Sequence, residues 1–414
     1  LRLLAPLLVS LVHALPHHPI SRTETRSVRA DATRGSSHAK VSADPMSKLC
    51  MSLPFAIALA LTLSACSSSG SDAPAGEPGE ITEEAPLLAQ DGTLAAHGWA
   101  RGPLMQYDRA LVQEARTDQL REWEYYAVFA PSFAIGLTLA DIGLLSFGIL
   151  TLEDYETGEI HDQMLLEGAD KLDFPFTPFE NTLFETALGS IEYRFEGDHR
   201  SITVLAGMPG TPERMEARIR LEDSEAVESI AVSHLFDEPG EFFYENKRLS
   251  MPATGTVLVG DVTYDFGEGE SFGVLDWGRG VWPENVRWEW GHFTGMIDGQ
   301  LLGLNMGTVN GDDSPGSADS ITIDGVLHKL PASIWEYDLD DVMETWTFRS
   351  EDGRIDLTLE PDFDDSTVLA LGPPYTLTRW KVHGAIEGTV QLGDGTTLQV
   401  RGIRGAAEYV EIIW

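Results

Sequence analysis

Alternation of apolar and charged residues most limits the folds open to this chain. Met215, Ala217, Ile219 and Leu221 interleave with Arg214, Glu216, Arg218, Arg220 and Glu222. Successive side chains on a strand point to opposite faces, so this period of two marks a half-buried strand. Ile191, Tyr193 and Phe195 repeat the pattern, and Gly197-Asp198 then turns the chain toward Ile202 and Val204. Ile355, Leu357 and Leu359 form another such run, and Asp394-Gly395 between Thr389–Leu392 and Thr397–Val400 is a hairpin signal. Only Asp108–Leu120 and Pro178–Leu188 read as helix, and both are short. The 40 glycines and 22 prolines fall between brief strands, as in a barrel or sandwich. The expected fold class is mainly β, antiparallel, with few short helices.

The front of the chain is built differently. From Met46 it reads MSKLCMSLPFAIALALTLSACSSSG, with a lysine, an apolar run from Leu49 to Leu63, and then Leu63-Ser64-Ala65-Cys66. A run of about 15 apolar residues is short for a membrane-spanning helix and suits a secretory signal. Its last four residues resemble the lipobox of bacterial lipoproteins, whose cysteine becomes the lipidated first residue of the mature protein. Residues 46–65 are therefore expected to be a lipoprotein signal peptide, Cys66 the lipidation site, and residues 1–45 an upstream extension. Ser/Gly/Pro/Glu-rich residues 66–95 are expected to form a flexible tether, followed by two barrel halves at 96–235 and 236–414. Cys50 lies inside the signal, which leaves the exported domain no cysteine to pair. The expected location is the cell envelope, with membrane attachment through lipid on Cys66. Ser67, in place of the aspartate that often retains lipoproteins at the inner membrane, favours the outer membrane.

A net charge of −38 repels nucleic acid and anionic headgroups, so no nucleic-acid partner is expected. Gly269-Glu270-Ser271-Phe272-Gly273 matches G-x-S-x-G, but Ser271 lies in a glycine-rich turn that leads into strand-like residues. A nucleophile elbow requires a helix there. The sequence carries no phosphate-binding loop, no H-E-x-x-H and no paired Cys/His spacing. Histidines 97, 161, 199, 234, 292, 328 and 383 are far apart, and the acidic loop Asn310–Ser320 lacks EF-hand spacing. No metal and no cofactor is expected.

The stretch FGVLDWGRGVWPENVRWEWG, Phe272–Gly291, carries the densest signal. Trp277, Trp282, Trp288 and Trp290 favour burial, and Trp288 and Trp290, two apart, share a strand face opposite Glu289. Gly278 and Gly280 allow close backbone approach or positive φ beside bulky rings. A buried Arg279 needs a carboxylate, and Asp276 is near in sequence. Two readings stay open: a charged clasp closing a barrel end with the tryptophans as core, or a tryptophan-walled pocket with an Asp276/Arg279 floor for a mostly apolar ligand.

REWEYYAV (121–128), LTLADIG (137–143), FFYENKRLSMPATG (242–255), VLDWGRGVWP (274–283), LGLNMG (302–307), DGVLHKL (324–330) and GIRGAAEYVEIIW (402–414) occur in that order. Together they resemble the Domain of Unknown Function 2804 family from about Gly98 to Trp414. The resemblance implies a pair of lipocalin-like β-barrel halves, an architecture similar to carotenoid hydratases and tocopherol cyclases, whose substrates are long isoprenoids. It implies no assigned activity. Matching motifs put Trp123, Asp141, Asn246, Lys247, Asp276, Arg279, Trp282, Asn305, His328 and Lys329 forward as ligand-binding residues. Asp276 and Glu408 become the candidate acids, with aromatic faces steadying a cation. Where relatives carry an acidic residue followed by Asn, this chain has Asp319-Ser320. The expected partner is a hydrophobic, lipid- or isoprenoid-like molecule held in a barrel cavity. The alternatives are a cofactor-independent hydratase, cyclase or isomerase, and a structural envelope protein.

Overall fold

The computed structural model describes residues 79–310, 317–372 and 375–413. The upstream segment, the signal, Cys66, the first part of the tether and the middle of the Asn310–Ser320 loop lie outside them. The described residues fall in one compact unit.

That unit holds two large antiparallel sheets. The first has 13 strands, running in order through Ile160–Gly168, Leu145–Asp154, Phe133–Asp141, Leu120–Phe129, Phe272–Val281, Phe242–Val259, Met215–Glu222, His199–Ala206, Gly189–Phe195 and Thr182–Thr186. The second has 10, ordered Val326–Lys329, Ser320–Ile323, Gln300–Val309, Asn285–Ile297, Thr397–Ile413, Tyr375–Gln391, Ile355–Asp364, Trp346–Ser350 and Ser333–Glu336, with Thr367–Gly372 added beside Tyr375–Gln391. The mainly β, antiparallel expectation holds, and so does the Asp394-Gly395 hairpin.

Each sheet curls on itself. Tyr126 and Tyr193, on well-separated strands of the first sheet, bring their rings within 4.7 Å. Phe293 and Phe348 meet at 6.4 Å inside the second. Val128, Leu137, Leu150, Ile202, Ile219 and Leu221 fill the first interior. Phe293, Leu304, Phe348, Leu357, Val382 and Ile386 fill the second. Each such side chain contributes about 1.5–3 kcal/mol by leaving water, so each sheet has its own hydrophobic core. Between them lies a third, small-residue layer in which Ala127, Ala134 and Val274 meet Ala406.

Three expectations are corrected. The chain changes sheets between Val281 and Asn285, so a boundary after Leu235 falls inside the first sheet. Pro283, which cannot donate to a ladder, stands at the change. The tether ends earlier than residue 95: Leu87 and Leu88 are buried against the first core, and Ala85–Pro86 pairs with Met105–Gln106. Two adjacent leucines give that segment enough apolar area to dock. Of the two expected helices, Asp108–Leu120 forms short 3-10 turns, Arg109–Leu111 and Glu114–Gln119. Residues 178–188 instead supply the strand Thr182–Thr186, where Thr182 and Phe184 are buried.

Candidate functional site

The strand Phe272–Val281 is buried along all of its 10 residues, so its two faces serve two different interiors. Leu275, Trp277 and Val281 point into the first barrel. Asp276 is three residues from Arg279, an odd spacing that sends the two side chains to opposite faces. The expected Asp276–Arg279 couple therefore does not exist. Arg279 is fully buried inside the first barrel, 3.6 Å from Glu122 and 3.4 Å from Glu124. It donates to the carbonyls of Trp123, Gly278 and Pro175 and lies 3.9 Å over the Trp277 ring.

Asp276 faces the other way, into the seam between the sheets, where a pocket of about 330 Å³ opens. This pocket thus lies between the barrels, beside the two hydrophobic cores. Trp123, Phe243 and Trp282 from the first sheet and Trp288 and Trp290 from the second form its aromatic walls. Trp123 stacks on Phe243 at 6.1 Å and meets Trp282 edge-on at 5.5 Å. Trp282 meets Trp288 edge-on at 6.1 Å. The glycines explain how these rings lie flat on the sheet. A Cβ at Gly278 would fall 2.0 Å from Trp123 Cζ2, and one at Gly280 would fall 2.6 Å from Trp282 Nε1. Close approach is the reason for glycine here, since neither residue has positive φ.

The polar end of the pocket is a buried triad. Lys247 Nζ lies 2.7 Å from Glu245 Oε2 and 2.9 Å from Asp276 Oδ2, and 4.1 Å over the Trp290 ring. Burial, with the Asp276 charge adding to it and Lys247 opposing, pushes the Glu245 carboxyl up to about 7. Burial works against the Lys247 ammonium, but the two carboxylates outweigh it and hold its pKa above the usual lysine range. Asp276 Oδ1 has no hydrogen-bond partner among the described residues.

The remaining expected residues divide. Glu408 lines the pocket and accepts from Trp288 Nε1 at 2.9 Å. Asn305 accepts from Trp290 Nε1 at 2.9 Å and donates to Ala318 O, so it fixes a wall from behind. Lys329 donates to Ser317 Oγ and to the Asp319 and Leu330 carbonyls, holding the segment that brings Ser317 and Ala318 to the pocket. Asp141 borders the pocket, but its carboxylate is used up by Gly143 N, Asp170 N and Ser146 Oγ. Two residues are not brought to the site. Asn246 points away from the seam and donates to Ser229 Oγ and Ile230 O. His328 lies on the Val326–Lys329 edge strand, close enough to act on the Asp394 turn. Asp319, at the position where the chain departs from its relatives, is buried and accepts from Ser333 Oγ.

Sequence reasoning missed Glu245, although the signal was present. It stands two residues before Lys247, hence on the same strand face.

A second buried polar group joins the two sheets. Lys381 Nζ lies 3.0 Å from Glu153 Oε1 and 3.1 Å from Asp365 Oδ2, while Arg379 reaches Asp365 at 2.7 Å. Tyr155 OH meets His383 Nδ1 at 2.9 Å. Glu153, Asp365 and His383 place ligand atoms within 4.8 Å of one another, as a metal would require. The Lys381 ammonium already occupies the space between the two carboxylates, so the arrangement fits an ion-pair lock better than a cation site. Burial, then the Lys381 charge, keeps His383 well below the usual histidine range and neutral.

A model of the family described as Domain of unknown function (DUF2804) matches residues 78–414. A search of curated protein sequences finds no match. Among solved structures, the chain is similar to kievitone hydratase from Nectria haematococca, with TM-score 0.44 and 12% identity over 77% of this chain and 98% of that one. It is similar to CghA solved with Sch210972 at TM-score 0.44 and 12% identity, over 71% of this chain and 88% of that one. At these scores the likeness carries no argument about activity.

Proposed function

A match of that length makes the chain a member of the DUF2804 family, and from this premise we propose that it binds a mostly apolar small molecule between its two sheets. The observation that carries the reading is the seam pocket itself, about 330 Å³, walled by tryptophans and ended by Glu245, Lys247 and Asp276. A few polar groups converging at one end of an apolar cavity is the usual construction of a small-molecule site. Native mass spectrometry of protein from its own host tests it. A co-purifying hydrophobic mass, lost when Gly278→Leu drives Trp123 into the pocket, is the expected result; a clean apo spectrum, with no quenching of tryptophan fluorescence by added lipids, sinks the reading.

The domain is proposed to work at the cell envelope, tethered by lipid on Cys66, with the outer membrane preferred. The Leu63-Ser64-Ala65-Cys66 ending and Ser67 support this. Labelled palmitate should enter the wild-type chain and not Cys66→Ala.

Glu245 supports a second reading, a cofactor-independent hydratase, cyclase or isomerase. A buried carboxyl group raised to about 7 at the edge of a pocket is suited to proton transfer at neutral pH. Asp276 and Glu408, the acids expected from sequence, border the same cavity. If turnover of host lipid extract is found, Glu245→Gln should abolish it, and an unchanged rate discards this reading.

A further inference from the structure

We propose that the seam pocket selects an amphiphile whose polar end is a protonated amine, an inference that rests on the pocket reading above. The reason is charge stoichiometry. At the pocket end one ammonium, Lys247, serves two carboxylates, Glu245 and Asp276. With both ionised the group is one cation short, and buried carboxylates without a counter-charge are costly. Two other buried carboxylate pairs among the described residues are matched one for one. Glu122 and Glu124 are matched by Arg109 and Arg279, and Glu153 and Asp365 by Lys381 and Arg379.

Three further observations point to a cation as the missing partner. Asp276 is only 8% exposed and its Oδ1 has no partner among the described residues, which leaves an acceptor for a donor. Trp290 already takes an ammonium on its face, Lys247 at 4.1 Å, which shows that these indole walls suit positive charge. Each cation lining the pocket already has at least one partner. Lys247 holds its two carboxylates, Arg379 faces Asp365 at 2.7 Å with Glu408 also near, and Arg121 Nη1 donates to the Asp118 and Leu120 carbonyls. A ligand carboxylate would meet Glu245, Asp276 and Glu408 instead. The pocket is therefore built against fatty acids and for an ammonium on an apolar body.

The test uses three probes of equal chain length at submicellar concentration and pH 8: dodecylamine, 1-dodecanol and dodecanoate, followed by tryptophan fluorescence and calorimetry. A charged hydrogen bond is worth about 1.5–3 kcal/mol, so dodecylammonium should bind about tenfold or more tightly than dodecanol. Dodecanoate should bind most weakly. Asp276→Asn and Glu245→Gln, each checked for folding by near-UV circular dichroism, should shrink the ammonium preference to about twofold or less. Calorimetry in buffers of different ionisation enthalpy adds a second readout near pH 7. Dodecylammonium binding should release a proton from the Glu245 group, which faces Lys247 and Asp276 on its own sheet and Arg379 and Glu408 across the pocket. Equal affinities, or a preference for dodecanoate, overturn the amine inference while leaving the pocket standing. If none of the three binds, the pocket reading itself falls.

Discussion

Two ion clusters on opposite faces of one strand illustrate opposite uses of buried charge. Arg279 and Asp276 come from one strand, yet each joins a different group. On the inner face, Arg279 is fully buried, with Arg109 sharing Glu122, and Tyr107 and Thr182 donating to the carboxylates. That cluster is charge-balanced, and Phe174 and Trp277 pack against its central Arg279. On the seam face the Lys247 group is one cation short, and it opens into a pocket. Burial alone does not separate a clasp from a site; the completeness of the balance and the space beside it do.

The largest test of this contrast is Arg279→Met. Removing one partner from a closed buried network costs about 3–5 kcal/mol, so urea denaturation should show a loss in that range. Lys247→Met should cost clearly less, because pocket water can reach Glu245 and Asp276; equal losses would erase the distinction between clasp and site. Gly278→Ala comes next. Its Cβ would fall 2.0 Å from Trp123 Cζ2, and overpacking of this kind costs about 1–3 kcal/mol. Trp123 must then swing into the pocket, and lipid quenching of tryptophan fluorescence should drop with stability.

The pH dependence sharpens the same comparison at a smaller scale. Glu245 is raised from the ordinary 4.5 to about 7 by burial. A group raised on folding contributes stability that is full below its unfolded pKa and is lost as pH rises through the folded value. Wild-type protein should therefore lose about 2–3 kcal/mol relative to Glu245→Gln between pH 5 and pH 8, read from urea midpoints. A flat difference would show that the carboxylate carries no such strain. The smallest effect is expected at Arg404–Asp362, a two-pronged pair at 2.7 and 2.9 Å whose aspartate is half exposed. Asp362→Asn should move stability by less than about 1 kcal/mol.

Much of this was legible in the residue order. Period-two runs gave the strands, Trp288 and Trp290 do share one face, and Asp394-Gly395 does turn a hairpin. The motifs also picked out Lys247, Asp276, Trp282 and Glu408, all of which border the pocket. The Asp276–Arg279 pairing failed on parity, which the spacing already contained. Glu245 was overlooked for the converse reason, since proximity to Lys247 matters only when two residues share a face. Asn246 and His328 were carried by motif position alone, and the fold directs them elsewhere.

What the sequence determined by itself was the kind of secondary structure, because alternation and turn residues act over a few neighbours. It also determined the overall acidity. Which cavity each face would line was decided only by tertiary structure. Along Phe272–Val281 both faces are buried, so no contrast of polar and apolar residues separates barrel interior from seam. That assignment comes from strands far apart in the chain: Leu120–Phe129 and Phe242–Val259 pair along its two edges, and Thr397–Ile413 packs on one face from the other sheet.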